Sequence, residues 1–408
     1  MKPLGPIPPG FTAIDGVLAV GGVPVTELVR RAGGTPLFVY SSDLIRQRVA
    51  QLRAAMPQRL AIHYAVKANP FGPILELMSG LVDGFDIASG GELRMVRKAG
   101  IAADRISFAG PGKQDRELGA ALVAGVTINV ESEAEATRAM AIAGRSGLRP
   151  HLAIRVNPDF DLKGSGMKMG GGAKPFGIDA ERVPALARKI HEGRPEFRGF
   201  HIFAGSQALD AEAIAEAQEQ TLLLAARLAG EAGVPVAHCN LGGGFGIPYF
   251  PGDQPLDIEL IGKRLAARFE ALPACLASTG FCIELGRYLV GEAGVYLARV
   301  IDRKESHGQI FLVTDGGMHH QLAASGNFGT VVRRNYPSAI ATRFGAPVEE
   351  EASIVGCLCT PLDRLADNAG FPRAEVGDVV AIFCAGAYGA SASPAAFLGQ
   401  GPAREILV

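Results

Sequence analysis

Leu60-Ala61-Ile62-His63-Tyr64-Ala65-Val66-Lys67-Ala68-Asn69-Pro70 decides how this 408-residue chain is read. Leu60, Ala61, Ile62, Tyr64 and Val66 form a short apolar run, and Ala68, Asn69 and Pro70 end it. The pattern predicts a buried strand over 60–66 with Lys67 at its C-terminal end. A Lys at the end of a buried strand is costly unless it is paired or chemically used. Where strands and helices alternate, that end of the strand is where active sites form. A desolvated amine there can form a Schiff base with an aldehyde cofactor. A Lys that merely reaches out of the strand into water fits this stretch equally well.

Working outward, strand-like runs recur at 37–40, 60–66, 84–87, 106–109, 126–130, 152–156, 200–203, 238–241 and 281–284. Helical stretches rich in Ala, Leu, Arg and Glu lie between most of them, at 42–55, 92–99, 115–124, 132–143, 179–191 and 210–232. Repeated strand–helix units predict a (β/α)₈ barrel or a doubly wound sheet, and eight or nine units favour the barrel. After residue 284 the texture changes. Segments 288–301, 310–314, 352–356 and 378–383 are short, β-branched and separated by Gly, Pro and charged turns, which predicts an all-β domain. Residues 1–34 read as β and turn and are assigned to it. The expected division is a barrel over 35–283 and a β domain from 1–34 and 284–408. The insert Gly164-Ser165-Gly166-Met167-Lys168-Met169-Gly170-Gly171-Gly172 reads as a mobile loop.

Bulk properties exclude several classes. The length exceeds one ordinary core, and an apolar share of 48% is ample for two. Net charge is -1 with no basic block, so neither a nucleic-acid footprint nor a membrane-surface patch is expected. No uninterrupted apolar run reaches the roughly 18 residues of a membrane span, and Met1-Lys2-Pro3-Leu4-Gly5-Pro6 has no signal core. The six Cys are scattered without a CxxC pair, which fits a reducing cytosol. No metal is expected. Cys357-Leu358-Cys359 lacks nearby ligand partners, and the adjacent His319 and His320 read as loop residues.

Further segments fall at predicted strand ends. Leu241-Gly242-Gly243-Gly244-Phe245-Gly246 lets backbone N–H groups approach a phosphate, or is an ordinary turn. In His201-Ile202-Phe203-Ala204-Gly205-Ser206-Gln207, Ser206 reads as a phosphate donor or a helix cap, and Phe203 as a platform for an aromatic cofactor or a core ring. Glu284 in Glu284-Leu285-Gly286-Arg287 needs a partner: a protonated pyridine nitrogen, or Arg287. Asp86 precedes Ser89-Gly90-Gly91-Glu92, a stretch compatible with ordinary helix capping.

In this order, the segments resemble the fold-type-III decarboxylases that use pyridoxal 5'-phosphate, a group including diaminopimelate, ornithine and biosynthetic arginine decarboxylases. The resemblance runs from Phe38-Val39-Tyr40 to Glu405-Ile406-Leu407-Val408. It implies an alanine-racemase-like cofactor-binding (β/α)₈ barrel plus a β domain of sandwich or barrel type, and a cytoplasmic homodimer with shared active sites. It also implies that Lys67 carries the cofactor, that Glu284 faces the pyridine nitrogen, that Ser206, Gly242, Gly243, Gly244, Arg287 and Tyr388 hold the phosphate, and that Gly286 is among the cofactor-binding residues. Asp86, Arg155, His201 and Phe203 match positions close to the cofactor. Cys359, from the other subunit, would be the acid that protonates the carbanion, with Thr360, Asp363 and Tyr388 toward the substrate.

The chain departs from the family at three places. Phe203 stands where a His usually stacks on the cofactor ring, which keeps stacking and loses the imidazole. Leu285 follows Glu284 where the family has Pro. Most important, Thr360 replaces the Glu or Asp that recognises a distal amine. The Arg that binds a distal carboxylate, beyond Asp315-Gly316-Gly317-Met318, falls in register on Ala323, with no Arg before Arg333. A missing buried charge partner would cost a charged substrate ~2–5 kcal/mol. A branch sharing His201-Ile202-Phe203-x-Gly205-Ser206-Gln207 and Leu358-Cys359-Thr360-Pro361-Leu362-Asp363 is similar to decarboxylases acting on a glutamyl group tethered to an acyl carrier protein, and to exosortase-associated ones. The expected reaction is α-decarboxylation of an amino acid with a neutral or carrier-tethered distal group. The alternatives are a decarboxylase of free meso-diaminopimelate, an amino-acid racemase, which would carry Arg at position 284, and a catalytically silent regulator.

Overall fold

Residues 1–326 and 334–408 are described by the computed structural model, less the Lys168 side chain; Arg333 lies outside them. The chain divides into two compact units, one of residues 49–246 and 255–286, the other of 1–48, 247–254 and 287–408.

The first unit is a closed parallel barrel. Its strands are Leu60–Ala65, Gly84–Ile87, Ile106–Phe108, Thr127–Val130, His151–Asn157, Glu196–Ile202, His238–Gly243 and Gly280–Leu285. The eighth pairs with the first, and the fourth with the fifth, so no edge is left open. Period-2 alternation sorts the side chains. Ile62, Tyr64, Phe85, Ile128, Ile154, Phe200, Phe281 and Ile283 on one set of positions are buried and apolar. The alternate positions carry His63, Asp86, Asn129, Arg155, His201, Asn240, Cys282 and Glu284, which bond to polar groups on other strands or the loops that follow them.

Helices connect the strands, and side-chain caps set the starts of several of them. Ser89 accepts from the Glu92 N–H at 3.1 Å, and Ser132 from the Glu135 N–H at 3.0 Å. Helices Asp115–Ala124 and Ala211–Ala232 end on left-handed glycines, Gly125 and Gly233. The insert that reads as a mobile loop contains a two-residue strand, Met167–Lys168, paired with Gly205–Ser206. Backbone bonds from Met169 and Gly170 to the Ala204 carbonyl hold it there.

The second unit is a mixed sheet in the order Ser338–Ile340, Val379–Ile382, Gly294–Ser306, Gln309–Thr314, Glu350–Val355, Arg364–Phe371. Leu37–Tyr40, which the sequence groups with the barrel units, pairs instead with Gly294–Ser306 and Arg404–Leu407 in this sheet. Its four residues are all buried, so the run looks like a barrel strand, but only its partners decide which sheet it joins. Residues 1–34 hold a helix, Val25–Ala32, besides strands; its Val25, Leu28 and Val29 pack with Leu37, Val39 and Phe383. Residues 288–293 are helical rather than extended. Arg364–Phe371 is a strand that its Asp, Asn and Gly content hides. Among the described residues no helix is long and apolar enough to cross a membrane.

One barrel interaction is testable as a fold determinant. Lys113 is buried and donates to Glu135 at 2.7 Å, to the Gly110 carbonyl at 2.7 Å and to the Asn129 carbonyl at 2.9 Å. Burial pulls the Lys113 amine down and the Glu135 carboxyl up, while the pairing opposes both. Lys113→Met should cost about 3–5 kcal/mol by stranding Glu135. The double variant Lys113→Met/Glu135→Leu should recover much of that loss in denaturant unfolding.

Candidate active site

The C-terminal strand ends of the barrel carry the candidate site. Lys67 sits not on the first strand but on the 3₁₀ turn Val66–Ala68 that follows it. The turn buries Val66 and Ala68 and leaves Lys67 exposed, so the expected desolvated amine is not found in the single chain. Its Nζ lies 5.6 Å from the centre of the Phe203 ring, a cation–π distance. Gly286 backs this turn: a Cβ there would come within 2.7 Å of Ala68 Cβ and 3.1 Å of the Ala65 carbonyl oxygen.

Glu284 is buried at the end of the eighth strand. His201 Nε2 lies 2.8 Å from its Oε2, and Asn240 Nδ2 donates to the same oxygen at 3.1 Å. Burial alone would raise the carboxyl. His201, Lys67 and Arg155 outweigh it and hold Glu284 down at about 2. Its partner is therefore His201, an option the sequence did not weigh beside Arg287. Asn240 also accepts from the Gly242 N–H at 2.8 Å, tying the carboxylate to the glycine turn.

That turn needs its glycines. A Cβ on Gly243 would lie 1.9 Å from the Glu284 carbonyl oxygen, and one on Gly244 would lie 2.4 Å from that of Gly205. Gly242 and Gly244 also have positive φ, 74° and 84°. The turn thus lies against the backbone of Gly205, beside Ser206. Gln207, next in sequence, is left-handed at φ 60°, unusual for a non-glycine residue.

Asp86 accepts from or pairs with His63 Nδ1 at 3.2 Å, and its Oδ1 is buried without a hydrogen-bond partner. Arg155 donates to Glu131 at 2.8 Å, and its guanidinium lies 5.0 Å from the Phe176 ring centre. The Ser89–Glu92 stretch is a capping arrangement, with the Glu92 carboxylate accepting from the Ala88 N–H at 2.6 Å.

The remaining candidates belong to the second unit. Arg287 donates to the Tyr249 hydroxyl at 2.6 Å, and its guanidinium lies 4.8 Å from the Tyr388 ring centre. Tyr388 is itself left-handed at φ 56°. Cys359 is exposed and Thr360 half-buried. Asp363 accepts from the Met318 N–H at 2.6 Å and the Leu358 N–H at 2.9 Å. One backbone N–H bonds each of its oxygens, so Asp363 holds the Cys359 loop in place. His319 and His320 lie in a buried turn; His320 Nδ1 accepts from Tyr296 at 3.0 Å and Nε2 donates to the Gly401 carbonyl at 2.8 Å.

Sequence reasoning passed over Asn240 and Glu131. The available signal was register: Asn240 and Gly242 share the face that Glu284 occupies on the neighbouring strand.

Comparison with known proteins decides the family. The model of the pyridoxal-dependent decarboxylase family's pyridoxal-binding domain matches residues 42–291. The chain belongs to the pyridoxal-dependent decarboxylases. It is 36% identical over 389 residues to the L-glutamyl-[BtrI acyl-carrier protein] decarboxylase of Niallia circulans, covering 94% of this chain and 90% of that one. It is 35% identical to the diaminopimelate decarboxylase of Aquifex aeolicus, covering 92% and 87%. The structure of M. jannaschii diaminopimelate decarboxylase with L-lysine superposes with a TM-score of 0.87 at 26% identity, covering 98% and 92%. The enzyme is a carboxy-lyase that decarboxylates an amino acid with pyridoxal 5'-phosphate.

The barrel fits that cofactor. An amine follows the first strand, an ionised carboxylate is buried at the eighth, and a glycine turn excludes side chains next to a serine hydroxyl. When bound, the cofactor supplies a conjugated sink for the electron pair left by departing CO₂. Lys67 is the amine that can carry it, Phe203 offers a flat face, and Glu284 can hold a ring proton.

Because Glu284 titrates well below its ordinary 4.5, its interactions stabilise the fold above that pH and are lost as pH falls from 4.5 toward 2. Glu284→Gln should therefore lower the melting temperature at neutral pH. The difference from the parent enzyme should shrink in melts at successively lower pH through that window.

Proposed function

We propose that this decarboxylase acts on an α-amino acid whose distal carboxylate is tied up in a linkage to an acyl carrier protein. The observation that carries the reading is Thr360, a neutral residue beside Cys359 where a charged distal amine would need an acid. Ala323 supports it, standing on the short 3₁₀ turn Leu322–Ser325 where a free carboxylate would need an Arg. A glutamyl group in thioester linkage has neither charge. The Niallia circulans relative, named for a carrier-linked glutamyl substrate, supports the same reading.

In this reading Lys67 carries the cofactor, Glu284 holds the ring proton under the orientation set by His201, and Phe203 supplies the stacking face. Asp86 and Arg155 are charged neighbours of the ring. Ser206 and the backbone of Gly242–Gly244 receive the phosphate, with Arg287 and Tyr388 as its further ligands. Cys359 delivers the proton to Cα after CO₂ leaves. The enzyme is a cytoplasmic homodimer in which Cys359 of one subunit serves the barrel of the other.

The deciding experiment is CO₂ release by the cofactor-loaded enzyme. Glutamate loaded on a carrier protein should turn over, while free meso-diaminopimelate, lysine, ornithine, arginine and glutamate should not. Efficient turnover of a free diamino acid would return the enzyme to diaminopimelate- or ornithine-type chemistry. Lys67→Ala should lose the visible absorbance that borohydride bleaches. Cys359→Ala should keep that absorbance and lose ~10²–10⁴-fold in turnover. Mixed Lys67→Ala and Cys359→Ala subunits should regain activity. Isolated heterodimers that stay inactive would rule out the shared site.

A further inference from the structure

Three interior side chains of the barrel have no part in the chemistry above. His238, Cys282 and His63 come from the seventh, eighth and first strands, which are consecutive neighbours in the sheet. Cys282 lies two residues before Glu284 on the same face of its strand. One donor atom from each of the three residues lies within 4.8 Å of the others. His238 Nε2 and Cys282 Sγ are 3.2 Å apart, and the two imidazoles lie nearly parallel, 20° between planes and 5.9 Å between centres.

We propose that these residues form a binding site for a thiophilic divalent cation such as Zn²⁺ or Co²⁺. A thiolate and two imidazoles are the donor set such ions prefer, and three protein ligands leave one position for water. A second, independent feature points the same way. His63 Nδ1 is engaged by Asp86 at 3.2 Å, which leaves Nε2 for an ion. A carboxylate that orients a ligating imidazole in this way is the usual outer partner in zinc sites. Room for the ring comes from Gly84, where a Cβ would meet His63 Nε2 at 2.4 Å. Both imidazoles are partly buried, while Cys282 is wholly buried. Binding displaces the thiol proton and forms the sulfur–metal bond, with no change of oxidation state. The ion joins three adjacent strands beneath Glu284 and locks the wall on which that carboxylate stands.

The test is titration of the tag-free holoenzyme with CoCl₂. A site of this kind gives one bound ion per chain and a near-ultraviolet thiolate-to-cobalt absorption. Cys282→Ser should abolish that absorption, and Cys357→Ser should leave it unchanged. Should Cys282→Ser fail to fold, His238→Gln reads the same site and should weaken cobalt binding by at least about tenfold. Absence of the absorption in the parent enzyme, or its survival in Cys282→Ser or undiminished in His238→Gln, overturns the assignment.

Discussion

A carboxylate with no water around it must be satisfied by whatever stands beside it, and Glu284 imposes that requirement on the barrel. Two hydrogen bonds to one of its oxygens, from His201 and Asn240, draw the sixth, seventh and eighth strands into fixed relation. Asn240 extends the arrangement to Gly242, so the acid and the glycine turn are built as one piece. Gly243 then lies so close to the Glu284 carbonyl that no side chain fits. The position of the charge and the shape of the turn beside it have a common cause.

The same economy explains why the barrel tolerates a polar interior. His63, Asp86, Arg155, Glu131 and Asn240 are each bonded to a group on an adjacent strand or loop, and His201 reaches Glu284 two strands away. Isolated, such groups would each be destabilising; linked, they leave few unpaired atoms, among them Asp86 Oδ1 and His201 Nδ1. Apolar packing is delegated to the alternate strand positions, where Ile62, Phe85, Phe200 and Phe281 bury their side chains.

Much of this was legible beforehand because strands, turns and helix caps follow from local pattern. Gly84–Ile87 and Asp115–Ala124 fall where hydrophobic periodicity and flanking residues place them. The residues at strand ends, Lys67, Ser206, Gly242 and Glu284, could be singled out for the same reason. Partners could not. Nothing local distinguishes Leu37–Tyr40 from a barrel strand, since the barrel strands are likewise short, largely buried runs of three to seven residues. Nor does Asp363 announce that two backbone N–H groups, one from Leu358 five residues before it and one from the distant Met318, will claim both its oxygens.

The sequence by itself determined most of the barrel's strands and helices and which side chains stand where the chain must turn, because those are settled within a few residues; it did not show the helix Val25–Ala32 or the strand Arg364–Phe371. It also carried the neutral Thr360 beside Cys359, since absence of charge needs no fold to be seen. Tertiary structure alone decided that His201 rather than Arg287 holds Glu284, that Lys67 is presented by a 3₁₀ turn, and that His63, His238 and Cys282 converge. Those outcomes depend on strand register across a closed barrel, which brings together residues more than two hundred positions apart and which no local pattern encodes.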